Sequence, residues 1–328
     1  MSRDMMPSFE LYQPDSVEGA VKLSKDVEKS WLLAGGQDSY DWFKDRAKRP
    51  EALIDITGIA ALKGVRETAE GLEVGALTTL TEIAFNDVVL AKYGLLARAA
   101  ARVASPQIRN AATLGGNLCQ DARCWYYRAG VDCYRAGGNT CYADTPQGQN
   151  REHCLFGAAR CIAVTPSDVA PAVVALEGAV VIAGGEGERV VPAEEFFIGP
   201  AVDITRMTIL EPGEVVTAVR LPKKWAGAKF YFEKVTDRAT WDFALVNVAS
   251  AMHIDGGTIK DARIVCGAVE CVPRRLKAVE QAVIGQPQND DTALIAGRTA
   301  SQGATAVQYN GYKIPLMENL VRRAVRDS

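Results

Sequence analysis

Residues 119 to 161 hold six of the eight cysteines of this 328-residue chain, and no regular hydrophobic repeat runs through them. The six are Cys119, Cys124, Cys133, Cys141, Cys154 and Cys161, with four, eight, seven, twelve and six residues between neighbours. A connection this long with so little periodicity is uncommon in a compact domain unless it is functional or disordered. Something bound by the thiols would supply the core that the segment lacks.

No two of these cysteines are separated by only two residues, so zinc-ribbon and zinc-finger spacings are missing. An iron-sulfur cluster needs only four thiolates brought together in space, which wide spacing allows. Trp125, Tyr126, Tyr127 and Tyr134, with Gly130, Gly137 and Gly138, fill the intervals. The plain alternative is a set of buried free thiols acting as small hydrophobes, and the clustering ranks it below a metal cluster. Cys266 and Cys271 lie in or just after a strand pattern and read as core residues. His153 and His253 have no partner pattern and read as structural. With two histidines in the chain, a Ser-His-Asp or histidine-metal mechanism has almost no material.

The absence of a charged segment followed by an apolar run at the N-terminus, and of any run of about 20 apolar residues, predicts a soluble, cytoplasmic protein. In a reducing cytoplasm clustered thiols point to metal binding or redox chemistry rather than to disulfides. At 35.3 kDa the chain should form two or three domains with ample cores. A net charge of -3, with basic residues scattered among acidic ones, argues against nucleic acid as a partner.

Periodicity predicts a capped amphipathic helix over 14–24, begun by Pro14 and Asp15 with Glu18 three residues on. WLLAGG reads as a buried strand and tight turn, ALIDIT and LEVGAL as strands, and Thr79 with Glu82 as a capping box. YGLLARAAARVAS reads as a helix ended by Pro106. VVALEGAVVIAGGEGERVVP reads as two or three strands with a Gly-rich hairpin. From about residue 218, VRLP, AKFYFEKV, FALVNVASAMHI and TIKDARIVCGAV read as a meander, followed by helices that cover one face of the sheet.

Two glycine pairs follow or precede these elements: Gly35-Gly36, and Gly115-Gly116 in the run from Ala112 to Asn117. Glycines let backbone N–H groups turn inward on an anion, and Ser39, Thr113 and Asn117 could add side-chain donors. A pyrophosphate would suit both turns. Neither matches GxGxxG opening a helix or GxxxxGK followed by Ser or Thr, so Rossmann and P-loop sites are not supported.

LLAGGQDS, IRNAATLGGN, PSDVAP, KVTDRATWDFALVNVA and the DGG and ARIVCGAV stretches occur in this order. The order resembles the FAD-binding medium subunits of the molybdenum hydroxylase (xanthine dehydrogenase and carbon monoxide dehydrogenase) family, over nearly the whole chain. The resemblance implies an α+β protein with the vanillyl-alcohol-oxidase (PCMH-type) FAD-binding fold in two subdomains, 1–60 and 61–217. A C-terminal α+β domain of the CO dehydrogenase flavoprotein type, 218–328, would follow. It places pyrophosphate loops at Leu32, Leu33, Ala34, Gly35, Gly36, Gln37, Asp38 and Ser39, and at Ala112, Thr113, Gly115, Gly116 and Asn117. It implies that Asp168 contacts the flavin or its ribityl chain, and that Lys234 lies near the ring. Neither histidine falls in these loops, so non-covalent FAD is expected.

Most members pass from GGN to the SDLAP-like motif by a much shorter connection than the 49 residues between Asn117 and Ser167 here. The insertion, about 119–164, resembles the loop of the 4-hydroxybenzoyl-CoA reductase β subunit, which carries an extra 4Fe-4S cluster; an aldehyde oxidoreductase subunit has a similar loop. Carried over by position, the ligands are Cys124, Cys133, Cys141 and Cys161, leaving Cys119 and Cys154 without a role. The resemblance implies a molybdenum-cofactor large subunit, a small subunit with two 2Fe-2S clusters and a ferredoxin-like electron donor or acceptor as partners. Hydroxylation of a substrate and reductive dehydroxylation of an aromatic CoA thioester both stay open, as do a zinc or thiol-sensing loop and a cofactor-assembly scaffold.

Overall fold

The structure, a computed structural model, describes residues 6–328; the N-terminal leader reading and the first residues of the 1–60 unit lie partly outside them. Strands β1 (Glu10–Tyr12), β2 (Ser30–Leu33) and β3 (Ala52–Asp55) form a parallel sheet in the order β1-β3-β2. Helix Val17–Asp26 makes the crossover between the first two strands. Its cap is Ser16, whose Oγ accepts from the Gly19 N–H at 3.3 Å, so the cap lies one residue beyond the expected Asp15. Serine can reach the third N–H from extended backbone, and Ser16 has that conformation. Strand β2 ends at Leu33, which delivers the first glycine pair to the sheet's C-terminal edge.

Strands β4 (Val65–Glu67), β5 (Gly71–Gly75), β6 (Ala179–Gly184), β7 (Gly187–Pro192) and β8 (Val215–Pro222) form an antiparallel sheet in the order β4-β5-β8-β6-β7. The VRLP stretch is therefore the end of β8, paired with β5 and β6, and is not part of the C-terminal meander. A third unit starting at 218 would cut this strand. The Thr79–Glu82 capping box forms as expected at the start of helix Leu80–Phe85. Helix Gly94–Ala101 stops well before Pro106, which instead opens the short helix Pro106–Arg109.

Residues 173–175, expected in a strand, belong to helix Val169–Ala175, every residue of which is buried. A helix buried on all sides has no polar face, so its apolar run carries no 3.6-residue period to distinguish it from a central strand. Burying each of its valines contributes about 1.5–3 kcal/mol relative to exposure. The expected hairpin survives as β6 and β7.

Strands β9 (Lys229–Val235), β10 (Val246–Asp255), β11 (Thr258–Gly267) and β12 (Arg274–Arg275) form a meander in the order β12-β11-β10-β9. One face packs on helices Lys277–Val283, Asp290–Ala300 and Lys313–Arg326 through Val248, Met252, Met317, Leu320 and Val321. The other face is not free: Ala249, Ala251 and Val265 join the core that contains helix Val169–Ala175. Residues 246–252 are accordingly buried throughout. This double burial fixes the C-terminal sheet against the glycine-bearing units. No described helix is long and apolar enough to cross a membrane.

Candidate flavin and cysteine sites

The two glycine turns meet. A Cβ on Gly35 would lie 1.9 Å from the carbonyl oxygen of Ala111, so the first loop can touch the second only without a side chain there. Gly36 has φ +71°, a left-handed conformation that glycine adopts at little cost. Among the described residues, no hydrogen bond takes up the backbone N–H groups of Gly36, Gln37 and Asp38, which leaves them free for an anion. In the second loop Thr113 Oγ1 accepts from the Gly116 N–H at 3.2 Å, capping helix Leu114–Leu118. Asn117 is buried and accepts from Ser167 Oγ at 2.6 Å.

Both loops line one pocket with about 1410 Å³ of empty space, counting its open mouth. Leu32, Ala34, Gly35, Gly36, Gln37, Asp38, Ser39, Ala112, Thr113, Gly116, Asn117 and Asp168 all line it. Leu33, Gly115 and Lys234 do not. Leu33 points into the core, and Gly115 packs on Ala76, where a Cβ would stand at 2.9 Å. A second groove of similar size, between helix Val17–Asp26 and the five-stranded sheet, is walled by charges already paired with each other: Arg66 and Arg220 with Glu73, and Arg220 with Glu188. The glycine loops are absent from it.

Lys234 sits behind Asp168. Its Nζ donates to Asp168 Oδ2 at 2.6 Å, to the Asp242 carbonyl at 2.7 Å and to the Arg102 carbonyl at 3.1 Å, which uses all three of its donors. Asn247 Nδ2 donates to the other Asp168 oxygen at 2.9 Å. Both side chains of the ion pair are 3 % exposed. Burial pushes the Asp168 carboxyl up from its ordinary value, against the pull of Lys234 and Asn247. Asp168 is thus locked in one orientation at the pocket wall by residues from β9 and β10.

The wall also contains residues that sequence reading did not single out. Arg128 forms a bidentate pair with Asp38, at 2.6 and 3.1 Å, and lies over the Trp42 ring at 4.4 Å. Gln120 bridges Asn117 and Asp38. Arg238, Trp241, Asp242 and Phe243, from the connection between β9 and β10, close the far side with Val103, Ala104 and Ile108. The KVTDRATWDFALVNVA stretch spans that connection, but only Lys234 was nominated from it. Arg128 had no signal, since it lies inside the irregular insertion. Cys119 lines this pocket too, and its side chain is exposed.

Cys124, Cys133, Cys141 and Cys161 line a different pocket, with about 320 Å³ of empty space, together with His153, Arg135, Arg160 and four tyrosines. Backbone N–H groups of Tyr126 and Tyr127 point at the Cys124 sulfur, and those of Asp144, Ile162 and Ala143 at Cys141. His153 Nε2 is 3.3 Å from Cys124 Sγ. Burial pushes the Cys124 thiol up to about 12, so binding a metal there would release its proton. Cys154 does not line this pocket and packs with Ala143, Ile162 and Val164. Cys266 and Cys271 are buried as expected.

Among the described residues, no three His, Cys, Asp or Glu side chains stand close enough to grip a single metal ion. Four thiolates around zinc would each lie about 2.3 Å from it. The cysteines converge on a shared space without reaching that spacing. The donors aimed at the sulfurs of Cys124 and Cys141, and the buried guanidinium of Arg135 lining the same pocket, suit sulfur that carries negative charge.

The two pockets are one helical turn apart. Helix Trp125–Arg128 begins after Cys124 in the cysteine pocket and ends at Arg128 in the pocket of the glycine loops. The insertion is held from the other side by the C-terminal helix, where Lys313 Nζ donates to the carbonyls of Glu152, His153 and Ala268. Asn310 donates to the carbonyls of His153 and Cys154.

Comparison with known proteins agrees with this fold. Residues 7–224 match the model of the FAD binding domain in molybdopterin dehydrogenase, and residues 231–328 that of the CO dehydrogenase flavoprotein C-terminal domain. The chain is 34 % identical over 279 residues to the aldehyde oxidoreductase FAD-binding subunit PaoB of Escherichia coli, covering 84 % of this chain and 86 % of that one. It is 29 % identical to the carbon monoxide dehydrogenase medium chain of Hydrogenophaga pseudoflava over 97 % of this chain and 96 % of that one. A solved structure of carbon monoxide dehydrogenase from the same organism superposes with a TM-score of 0.77, covering 98 % of this chain and 97 % of that one. The chain belongs to the FAD-binding medium subunits of the molybdenum hydroxylase family, whose members are subunits of oxidoreductases.

Proposed function

We propose that this chain is the FAD-binding electron-transfer subunit of an aldehyde-oxidising molybdenum enzyme, and that its insertion holds a 4Fe-4S cluster on Cys124, Cys133, Cys141 and Cys161. The observation that carries the reading is the single turn Trp125–Arg128, which joins the cysteine pocket to the flavin pocket. The likeness to an aldehyde oxidoreductase subunit favours aldehydes over CoA thioesters as the substrate of the complex. The partners on this reading are a molybdenum-cofactor large subunit, a small subunit with two 2Fe-2S clusters and a ferredoxin-like protein.

Oxidation of an aldehyde to a carboxylic acid, with water as the oxygen source, releases two electrons and two protons on the partner subunit. Bound FAD would exchange electron pairs for single electrons. The chain's own residues position it. The free N–H groups of residues 36–38 and the Thr113 loop would hold the pyrophosphate. Arg128 neutralises Asp38, which would otherwise repel it. Lys234 and Asn247 keep the Asp168 carboxylate fixed where it meets the flavin or its ribityl chain. The apolar wall of Val103, Ile108 and Phe243 excludes water.

The test is anaerobic mixing of the purified complex with an aromatic aldehyde. Flavin bleaching is expected in the parent and in Cys161→Ser, with transfer onward to a ferredoxin-like protein lost in the variant. An aldehyde that fails to bleach the flavin rejects the substrate class, and undiminished onward transfer in Cys161→Ser rejects the cluster's role.

A further inference from the structure

Trp241 lines the flavin pocket yet is 65 % exposed, and its backbone has φ +52°. Both features are unfavourable for tryptophan. A bulky residue in the left-handed region is strained, and a large aromatic ring in water forgoes burial. Strain of this kind persists only where surrounding structure enforces it, and it concentrates at ligand clamps.

The enforcement is visible. The Trp241 N–H donates to the Ala104 carbonyl at 2.8 Å, and Thr240 Oγ1 donates to the same oxygen at 3.1 Å. Ala104 is itself left-handed, with φ +40°. Arg238 Nη2 donates to the Trp241 carbonyl at 2.7 Å, and the N–H groups of Asp237 and Arg238 both reach Asp242 Oδ2 at 3.1 Å. Asp242 is tied in turn to Lys234. Residues 236–243 thus form a strap, anchored to β9 on one side and to the Ala104 turn on the other, that carries the indole to the pocket mouth. Apart from the Arg238 guanidinium, 5.8 Å from its centre, no described ring or cation packs on the indole.

We propose that Trp241 stacks its indole on one of the flat ring systems of bound FAD, and that strap 236–243 exists to hold it there. The inference rests on FAD occupying this pocket. A flat aromatic surface of its size, pre-positioned and unburied in the FAD-free chain, matches a flat aromatic ligand better than an aliphatic or purely anionic one.

The experiment compares Trp241→Asn and Trp241→Phe with the parent in the purified complex, after reversible removal of FAD. Asparagine tolerates left-handed backbone, so the melting temperature of the FAD-free form should hold or rise. FAD affinity should fall by about tenfold in Trp241→Asn, the scale of one aromatic contact, and largely return in Trp241→Phe. Quenching of tryptophan fluorescence on FAD rebinding should shrink in both variants. Parental affinity and parental quenching in Trp241→Asn overturn the inference, and so does weaker binding accompanied by a lower melting temperature without FAD, which marks a purely structural residue. A parent that takes up no FAD at all sinks the flavin reading itself, a result separable from either.

Discussion

Replacing Lys234 by methionine removes the cation paired with Asp168 while keeping a side chain of similar length. The cavity contribution is then small. What remains is a buried carboxylate without its partner and two carbonyls, of Arg102 and Asp242, without a donor. Breaking a pair in which both side chains are 3 % exposed should cost about 3–5 kcal/mol. At roughly 2 °C or a little more per kcal/mol for a chain of this size, the melting temperature should fall by about 6–12 °C in calorimetry. Burial raises the Asp168 carboxyl, and without Lys234 that push is less opposed. A folded-state pKa above the unfolded one means stability that is present at low pH and lost as pH rises, so the variant's deficit should be smaller at pH 5 than at pH 8. Adding Asp168→Asn removes the stranded charge and should recover part of the loss. A loss below about 1 kcal/mol, or no recovery in the double variant, refutes the view that this pair is a locked, charged support for the pocket wall.

Gly35→Ala places a methyl where the Ala111 carbonyl stands and should abolish FAD retention, while Gly58→Ala, in open space, should leave it unchanged; flavin absorbance of the purified protein reads both. Asp121 is pushed up by burial, but Lys48 and Arg135 outweigh this and its net pKa is lowered. Its contribution to stability is therefore present above the unfolded value of about 3.9 and lost as pH falls below it. Asp121→Asn should flatten the acid limb of the stability–pH curve, measured by urea unfolding between about pH 5 and pH 2, and an unchanged slope would falsify that assignment.

Local features were legible and long-range pairings were not. The glycine turns and the Thr79–Glu82 box depend on residues a few positions apart, and the chain shows them directly. Asp168 and Lys234 could be nominated only by resemblance, because nothing local says that a lysine on β9 will cross to a helix start 66 residues earlier. Helix Val169–Ala175 was misread because complete burial erases its periodicity, and the end of β8 because its partners come from β5 and β6. Spacing alone did not rank the six cysteines, and only resemblance nominated Cys124, Cys133, Cys141 and Cys161 as ligands. Folding brings those four to one pocket, while Cys119 lines the pocket of the glycine loops and Cys154 joins a small apolar core.

The most direct measurement of the central claim is FAD, iron and acid-labile sulfide per chain in protein purified without oxygen, for the parent and for Cys124→Ser, Cys161→Ser, Cys119→Ser and Cys154→Ser. The account predicts one FAD with about four iron and about four sulfide in the parent. Iron and sulfide should be lost in the first two variants and kept in the last two, with FAD retained in Cys161→Ser. FAD without iron or sulfide in the parent, or equal loss of iron in Cys119→Ser, would contradict it.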